Sequence, residues 1–186
     1  MIGLLLRFLS HQADLFRSGC MKTYYRLKYP GLSIDGSSYL APGVELVCVK
    51  GSLMVIRQST LGKGSQIRTK REGRLELTDC EVGAYCTIEA MQSITIEKDT
   101  LIAERVTIRD QNHRFEEVGK NIAEQGFDVA PVLIKPNVWI GAEVVVLKGV
   151  EIASGTVVGA GSVVNRSLLE KAVYAGNPAQ KVKELS

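Results

Sequence analysis

Only two histidines, His11 and His113, occur in the 186 residues, with one tryptophan and five prolines. His11 falls in a segment that reads as a helix, so the pair cannot assemble the ligand cluster of a zinc site, and no metal is expected. The four cysteines, Cys20, Cys48, Cys80 and Cys86, show no CxxC spacing and are read as packed thiols of a reduced, cytoplasmic protein. Scarce proline and a 45% hydrophobic content exclude a disordered chain. A net charge of +3 is too small to imply a nucleic-acid partner. No apolar run is long enough for a bilayer span, since Ile2–Leu6 is broken by Arg7. That run lacks a basic stretch before it and a small-residue cleavage site after it, so no signal peptide is expected.

What the chain does have is a rhythm. Ile134, Ile140, Val146, Ile152, Val158 and Val164 recur at a spacing of six, and Val138, Val144, Val150, Thr156 and Ser162 fill a second register two residues before the next member. A helix repeats at 3.6 and a flat strand at 2, so neither accounts for it. Short strands joined by turns and wound into a coil, with aliphatic side chains stacked inside, do. The expected fold is an all-β solenoid. The same spacing places Val49, Val55, Leu61 and Ile67 inside an earlier run, and Val82 and Ile88 and then, after a shift of two around Met91-Gln92, Ile96, Ile102 and Ile108 inside a later one. Residues 68–76 interrupt it as a loop whose basic residues Arg68, Lys70, Arg71 and Arg74 read as solvated.

Three regions follow. Residues 1–30 carry Ile2, Leu5, Leu6, Leu9, Ala13 and Phe16 at helical spacing with a Pro30-Gly31 stop, and Arg7, Arg17, Lys22, Arg26 and Lys28 against one acid, Asp14. Such an amphipathic helix covers the open end of a solenoid. Peripheral membrane contact through the basic face of residues 1–28 is the other reading. Residues 31–166 form the solenoid, interrupted at 109–132 by a polar, aperiodic loop of the length that tends to be functional. Residues 167–186 read as a C-terminal tail with a turn at Ala175–Ala179.

His113 lies in that loop. Histidine is the side chain suited to act as a general base near neutrality. Asp110, three residues earlier, is placed to orient the ring, with Asn112 the weaker choice. A surface histidine without a duty is the plainer alternative. Trp139 alternates with Val138 and Ile140, so it points outward if they point in, toward a ligand or a neighbouring subunit.

The repeats, DQNH (110–113), PVLI (131–134), NVWIGA (137–142), VVGAGSVV (157–164) and AGNPA (175–179) together resemble the hexapeptide-repeat acetyltransferases, closest to the sugar O-acetyltransferases of bacterial polysaccharide and lipopolysaccharide biosynthesis. The resemblance covers about residues 34–182. It implies a left-handed parallel β-helix of triangular section, assembled as a homotrimer with acetyl-CoA held between adjacent subunits. It also implies that His113 is the base for direct attack of an acceptor hydroxyl on the thioester. Trp139 then lies beside the pantetheine arm, the backbone N–H of Ala142 helps stabilise the oxyanion, and Ala160 contacts pantetheine. Gly176 and Pro178 belong to a turn near the adenine. Arg166, Lys181 and Lys183 are expected near CoA phosphates, and Asn112 and Gln125 at the acceptor pocket. N-acetylation of an amino sugar, or a trimeric β-helix scaffold without turnover, are the alternatives.

Overall fold

The computed structural model describes residues 2–185, with side chains from residue 9 onward. It is a left-handed parallel β-helix of about six turns behind one N-terminal helix. Three sheets of six, eight and six strands form the faces, parallel throughout except for the last strand of the eight. Inside, Ile34, Ile56, Leu77, Ile96, Ile134 and Ile152 stack on the first face. Leu40, Leu61, Val82, Ile102, Ile140 and Val158 stack on the second. Leu46, Ile67, Ile88, Ile108, Val146 and Val164 stack on the third. All are buried, and each such side chain contributes about 1.5–3 kcal/mol of transfer free energy. The second register is also inside, with Val138, Val144, Val150, Thr156 and Ser162 all at 1% exposure or less.

One inward run differs from the spacing. Val49 and Val55 are half-buried, while Cys48, Met54 and Ile56 point inside. The early coils use five-residue strands, Leu53–Arg57 and Arg74–Thr78, where the late coils use two-residue strands such as Trp139–Ile140. A strict hexad holds only for the short strands. In a longer strand the alternation by two lets a one-residue slip invert every side chain.

The corners explain why glycine marks them incompletely. Many corners use a left-handed residue, and the chain supplies Gln58, Asp79, Asp99 and Asn137 at one edge, with Tyr85, Arg105 and Glu143 beside Gly161 at the next. Non-glycine residues there cost roughly 1–3 kcal/mol each. Gly141 has a different reason. A Cβ on it would lie 2.6 Å from the Ala160 backbone nitrogen of the coil above.

Both ends of the coil are covered. Helix α1 spans Ile2–Lys28, with Arg26 and Lys28 in the last turn where they suit the helix dipole. Tyr25 and Ser18 are buried against the first coil. Arg17 donates to the Leu40 carbonyl at 3.0 Å, Lys22 to Gly36 at 2.6 Å and Ser38 at 2.8 Å, and Tyr25 Oη to Val44 at 3.0 Å. Arg26 Nε donates to the Ile34 carbonyl at 2.9 Å. The end-cap reading therefore stands. Of the basic residues counted on this helix, Arg17, Lys22 and Arg26 are held on backbone carbonyls, and the helix turns Leu9, Phe16 and Leu27 outward. The side chains of Ile2, Leu5, Leu6 and Arg7 lie outside the described residues. No described helix is long and apolar enough to cross a membrane.

At the other end, residues 167–175 continue the coil where a tail is expected from the sequence. Leu168 bridges to Ile152, Tyr174 pairs in register with Val158, and Leu168, Ala172 and Tyr174 are buried. The strand Gln180–Glu184 then returns antiparallel along Ala172–Ala175. Cys48, Cys80 and Cys86 are buried free thiols and Cys20 is exposed. Burial pushes the Cys80 and Cys86 thiols up to about 11, so these two are core filler rather than reactive groups.

Asp35 ties the first coil to the second. Burial alone would raise its pKa, but bonds from the Ser38 hydroxyl (2.6 Å), the Gln58 N–H (2.9 Å), the Ser38 N–H (2.8 Å) and the Ser37 hydroxyl (3.0 Å) outweigh it and hold the carboxyl at about 2. A carboxyl depressed below its unfolded value of 3.8 stabilises the fold above about pH 4, and that contribution is lost as the pH falls toward 2. Asp35→Asn is therefore expected to lower the melting temperature at neutral pH and to melt with the wild type near pH 2. A gap that stays constant across this range would contradict the linkage.

Candidate functional site

The long loop leaves the coil at the corner between the third and first faces, between Thr107–Arg109 and Val132–Ile134. It is not structureless. Gln111–His113 pairs antiparallel with Phe127–Val129, setting His113 opposite Phe127. Their rings are 4.3 Å apart between centroids and tilted by 39°. The exposed imidazole thus rests on an aromatic base at the root of the hairpin. Lys148 of the following coil holds the return strand through Asp128 at 2.6 Å, and this bond with the Lys148 ammonium lowers the Asp128 pKa. The far part of the loop carries a short 3-10 turn, Ile122–Glu124.

Three residues placed at the site by sequence have other duties. Asp110 is fully buried and accepts from the backbone N–H groups of Met91 (2.8 Å), Gln92 (2.7 Å) and Ser93 (2.7 Å). These bonds fix the base of the hairpin on the coil below. Gln125 is 6% exposed, with its Oε1 accepting from Glu117 N–H and its Nε2 donating to the Glu117 and Lys120 carbonyls. It holds the loop in shape. Lys181 is paired with Glu170 at 2.8 Å and Glu184 at 3.2 Å, which raises its pKa. Arg166 bonds the Gln180 side chain across the C-terminal hairpin. Lys183 lies opposite Val173 on the second face, and Asn112 is exposed opposite Asp128.

The remaining residues gather at one edge of the prism. Trp139 is 54% exposed on the outer surface of the second face, in register with Leu101 below, itself 51% exposed, and Val157 above. The corner that follows carries Ala142 and, one coil up, Ala160. The N–H groups of Gly141 and Glu143 are bonded to Val158 and Glu104, whereas that of Ala142 has no backbone partner among the described residues. An unengaged N–H aimed from a rigid corner is a ready donor to a developing negative charge. Gly176 and Pro178 extend the same edge, with Gly176 N–H bonded to the Ser162 hydroxyl at 3.1 Å. Within one chain, then, Trp139, Ala142, Ala160, Gly176 and Pro178 come together, while His113 stands on a different corner.

Sequence alone missed Phe127 and Arg71. The Arg71 guanidinium lies 5.2 Å from the centroid of the Phe127 ring that contacts His113. The only signal in the sequence was the basic composition of residues 68–76.

The family described as "Bacterial transferase hexapeptide (six repeats)" matches residues 131–166. The putative lipopolysaccharide biosynthesis O-acetyl transferase WbbJ of Escherichia coli K12 is 34% identical over 142 residues, spanning 72% of this chain and 72% of that protein. Among solved structures, the S84A mutant of the N-acyltransferase AntD from Bacillus cereus superposes with a TM-score of 0.74 at 22% identity, covering 88% of this chain and 89% of that one. A galactoside acetyltransferase in complex with coenzyme A superposes at 0.50 with 25% identity, covering 77% of this chain and 64% of that one.

Proposed function

Because the chain belongs to the hexapeptide-repeat acyltransferase family, we propose that it is an acetyl-CoA-dependent O-acetyltransferase acting on a sugar hydroxyl of a cell-surface glycan precursor. The observation that carries this reading is His113, exposed and braced by Phe127 on the one long hairpin that leaves the coil. The name of WbbJ supports O-transfer, and the coenzyme A complex of the galactoside enzyme supports the donor.

In this reading the working unit is a homotrimer. His113 and the edge bearing Trp139 and Ala142 lie apart within one chain, so the imidazole of one protomer would face the Trp139 edge of its neighbour. The half-exposed Leu101 and Trp139 give that edge an apolar surface. The acceptor hydroxyl loses its proton to His113 as its oxygen attacks the thioester carbon. The carbonyl oxygen, taking up negative charge, accepts from Ala142 N–H. The C–S bond then breaks, and the proton on His113 returns to the departing thiolate. No acyl-enzyme forms. Cytoplasmic residence, and a peripheral membrane contact through residues 1–28, belong to the same proposal.

The test is a product-detected screen of nucleotide sugars and lipid-linked oligosaccharides with acetyl-CoA. An acetylated product whose acetyl group is released by mild alkali is the expected result. An alkali-stable amide would move the reading to N-acetylation. No calorimetric binding of acetyl-CoA at millimolar ligand would favour the scaffold.

A further inference from the structure

One edge of the prism carries unpaired cations up to the candidate base. A groove of about 470 Å³ lies under the end of α1, lined among others by Lys28, Tyr29 and Lys50. It meets, at Lys50 and Gly51, a second groove of about 530 Å³ lined by Lys50, Gly51, Arg71, Glu72 and Met91. Arg71 closes that groove at the hairpin, where its guanidinium lies over Phe127. None of the ion pairs among the described residues involves Lys50 or Arg71; their nearest acid in the groove is Glu72 alone. The neighbouring cation, Lys70, is occupied by the buried Glu89 at 3.0 Å, and Glu89 in turn accepts from Gln111 of the hairpin. The corner therefore separates two roles. Lys70 joins the hairpin to the coil, and Arg71 faces outward with its N–H fork free.

An arginine held against an aromatic ring is partly oriented before binding, at reduced entropic cost, and its N–H fork suits two parallel bonds to a phosphate. The guanidinium and the imidazole contact the same ring, at 5.2 Å and 4.3 Å from its centroid, so both lie within reach of a single bound sugar. Resting on the O-acetyltransferase reading above, we propose that Arg71, assisted by Lys50, binds the phosphate or diphosphate that links the acceptor sugar to its carrier. The sugar then reaches across Phe127 to His113. The shared ligand chemistry is a sugar-bearing diphosphate, whether the carrier is a nucleoside or an isoprenoid lipid. A neutral free sugar would lack the anchor and be a poor acceptor.

With only two histidines in the chain, imidazole proton signals give a reporter independent of turnover. In NMR titrations of the full chain with sodium pyrophosphate, the His113 signal is expected to shift saturably and the His11 signal to stay. Arg71→Met, which keeps apolar packing on Phe127 without charge, is expected to weaken this binding at least tenfold with CoA affinity unchanged. Arg71→Lys is expected to fall between the two. Uridine diphosphate and geranyl diphosphate then compete: the tighter ligand identifies the carrier, and equal binding assigns recognition to the diphosphate alone. A His113 signal unmoved by all three, undiminished affinity in Arg71→Met, or a parallel loss of CoA affinity overturns the proposal. Failure of the acetyltransferase reading would appear separately, as absent acetyl-CoA binding in the wild type.

Discussion

His113→Ala is expected to lower kcat by about 10²–10⁴-fold while leaving CoA affinity and the melting temperature near those of the wild type. The rate effect follows from removing the proposed general base. The small structural effect follows from exposure: the imidazole touches Phe127 and is not part of the core. If Arg71 and Phe127 still hold the acceptor, the loss falls on kcat more than on KM. Steady-state kinetics on the acceptor found in the screen, with calorimetry for CoA, measure both. A loss smaller than tenfold with CoA binding intact would remove His113 from the chemistry.

Asp110→Ala is expected to act through stability. Its carboxylate receives three short backbone bonds in a site with no solvent exposure, so truncation leaves three N–H groups without a partner. Orphaned buried donors cost about 1–3 kcal/mol each. These three share one turn and are not additive, so a total of about 3–5 kcal/mol, or a fall of about 10 °C in melting temperature, is expected. Activity should fall with it, because the hairpin that carries His113 is anchored at this carboxylate. Were Asp110 an orienter of the imidazole instead, the variant would lose activity at an unchanged melting temperature. Thermal melts by circular dichroism separate the two outcomes.

The late coils were legible residue by residue because two-residue strands enforce the hexad, and Ile134 to Val164 fall where the spacing puts them. The early coils were legible only in outline, since five-residue strands permit the slip that turned Val55 outward and Met54 and Ile56 inward. His113 was visible because its loop is the longest break in the rhythm, and Trp139 because alternation between two buried neighbours leaves one direction. What Asp110 bonds was not visible. Its partners, Met91 to Ser93, belong to the coil below, and no local pattern reports a contact made by winding. Arg71 was hidden for the same reason, because a solvated basic loop and a guanidinium set on the aromatic of another coil have the same composition.

The helix at the first coil has a consequence for the solubility of the chain. A wound strand stack exposes at each terminus a row of carbonyl and amide groups that would accept another copy as readily as the next turn of its own chain. By satisfying the Ile34, Gly36, Ser38, Leu40 and Val44 carbonyls with side chains, α1 takes five acceptors away from any stranger's strand that would extend the coil there. Growth of a filament from this end would first have to lift the helix off.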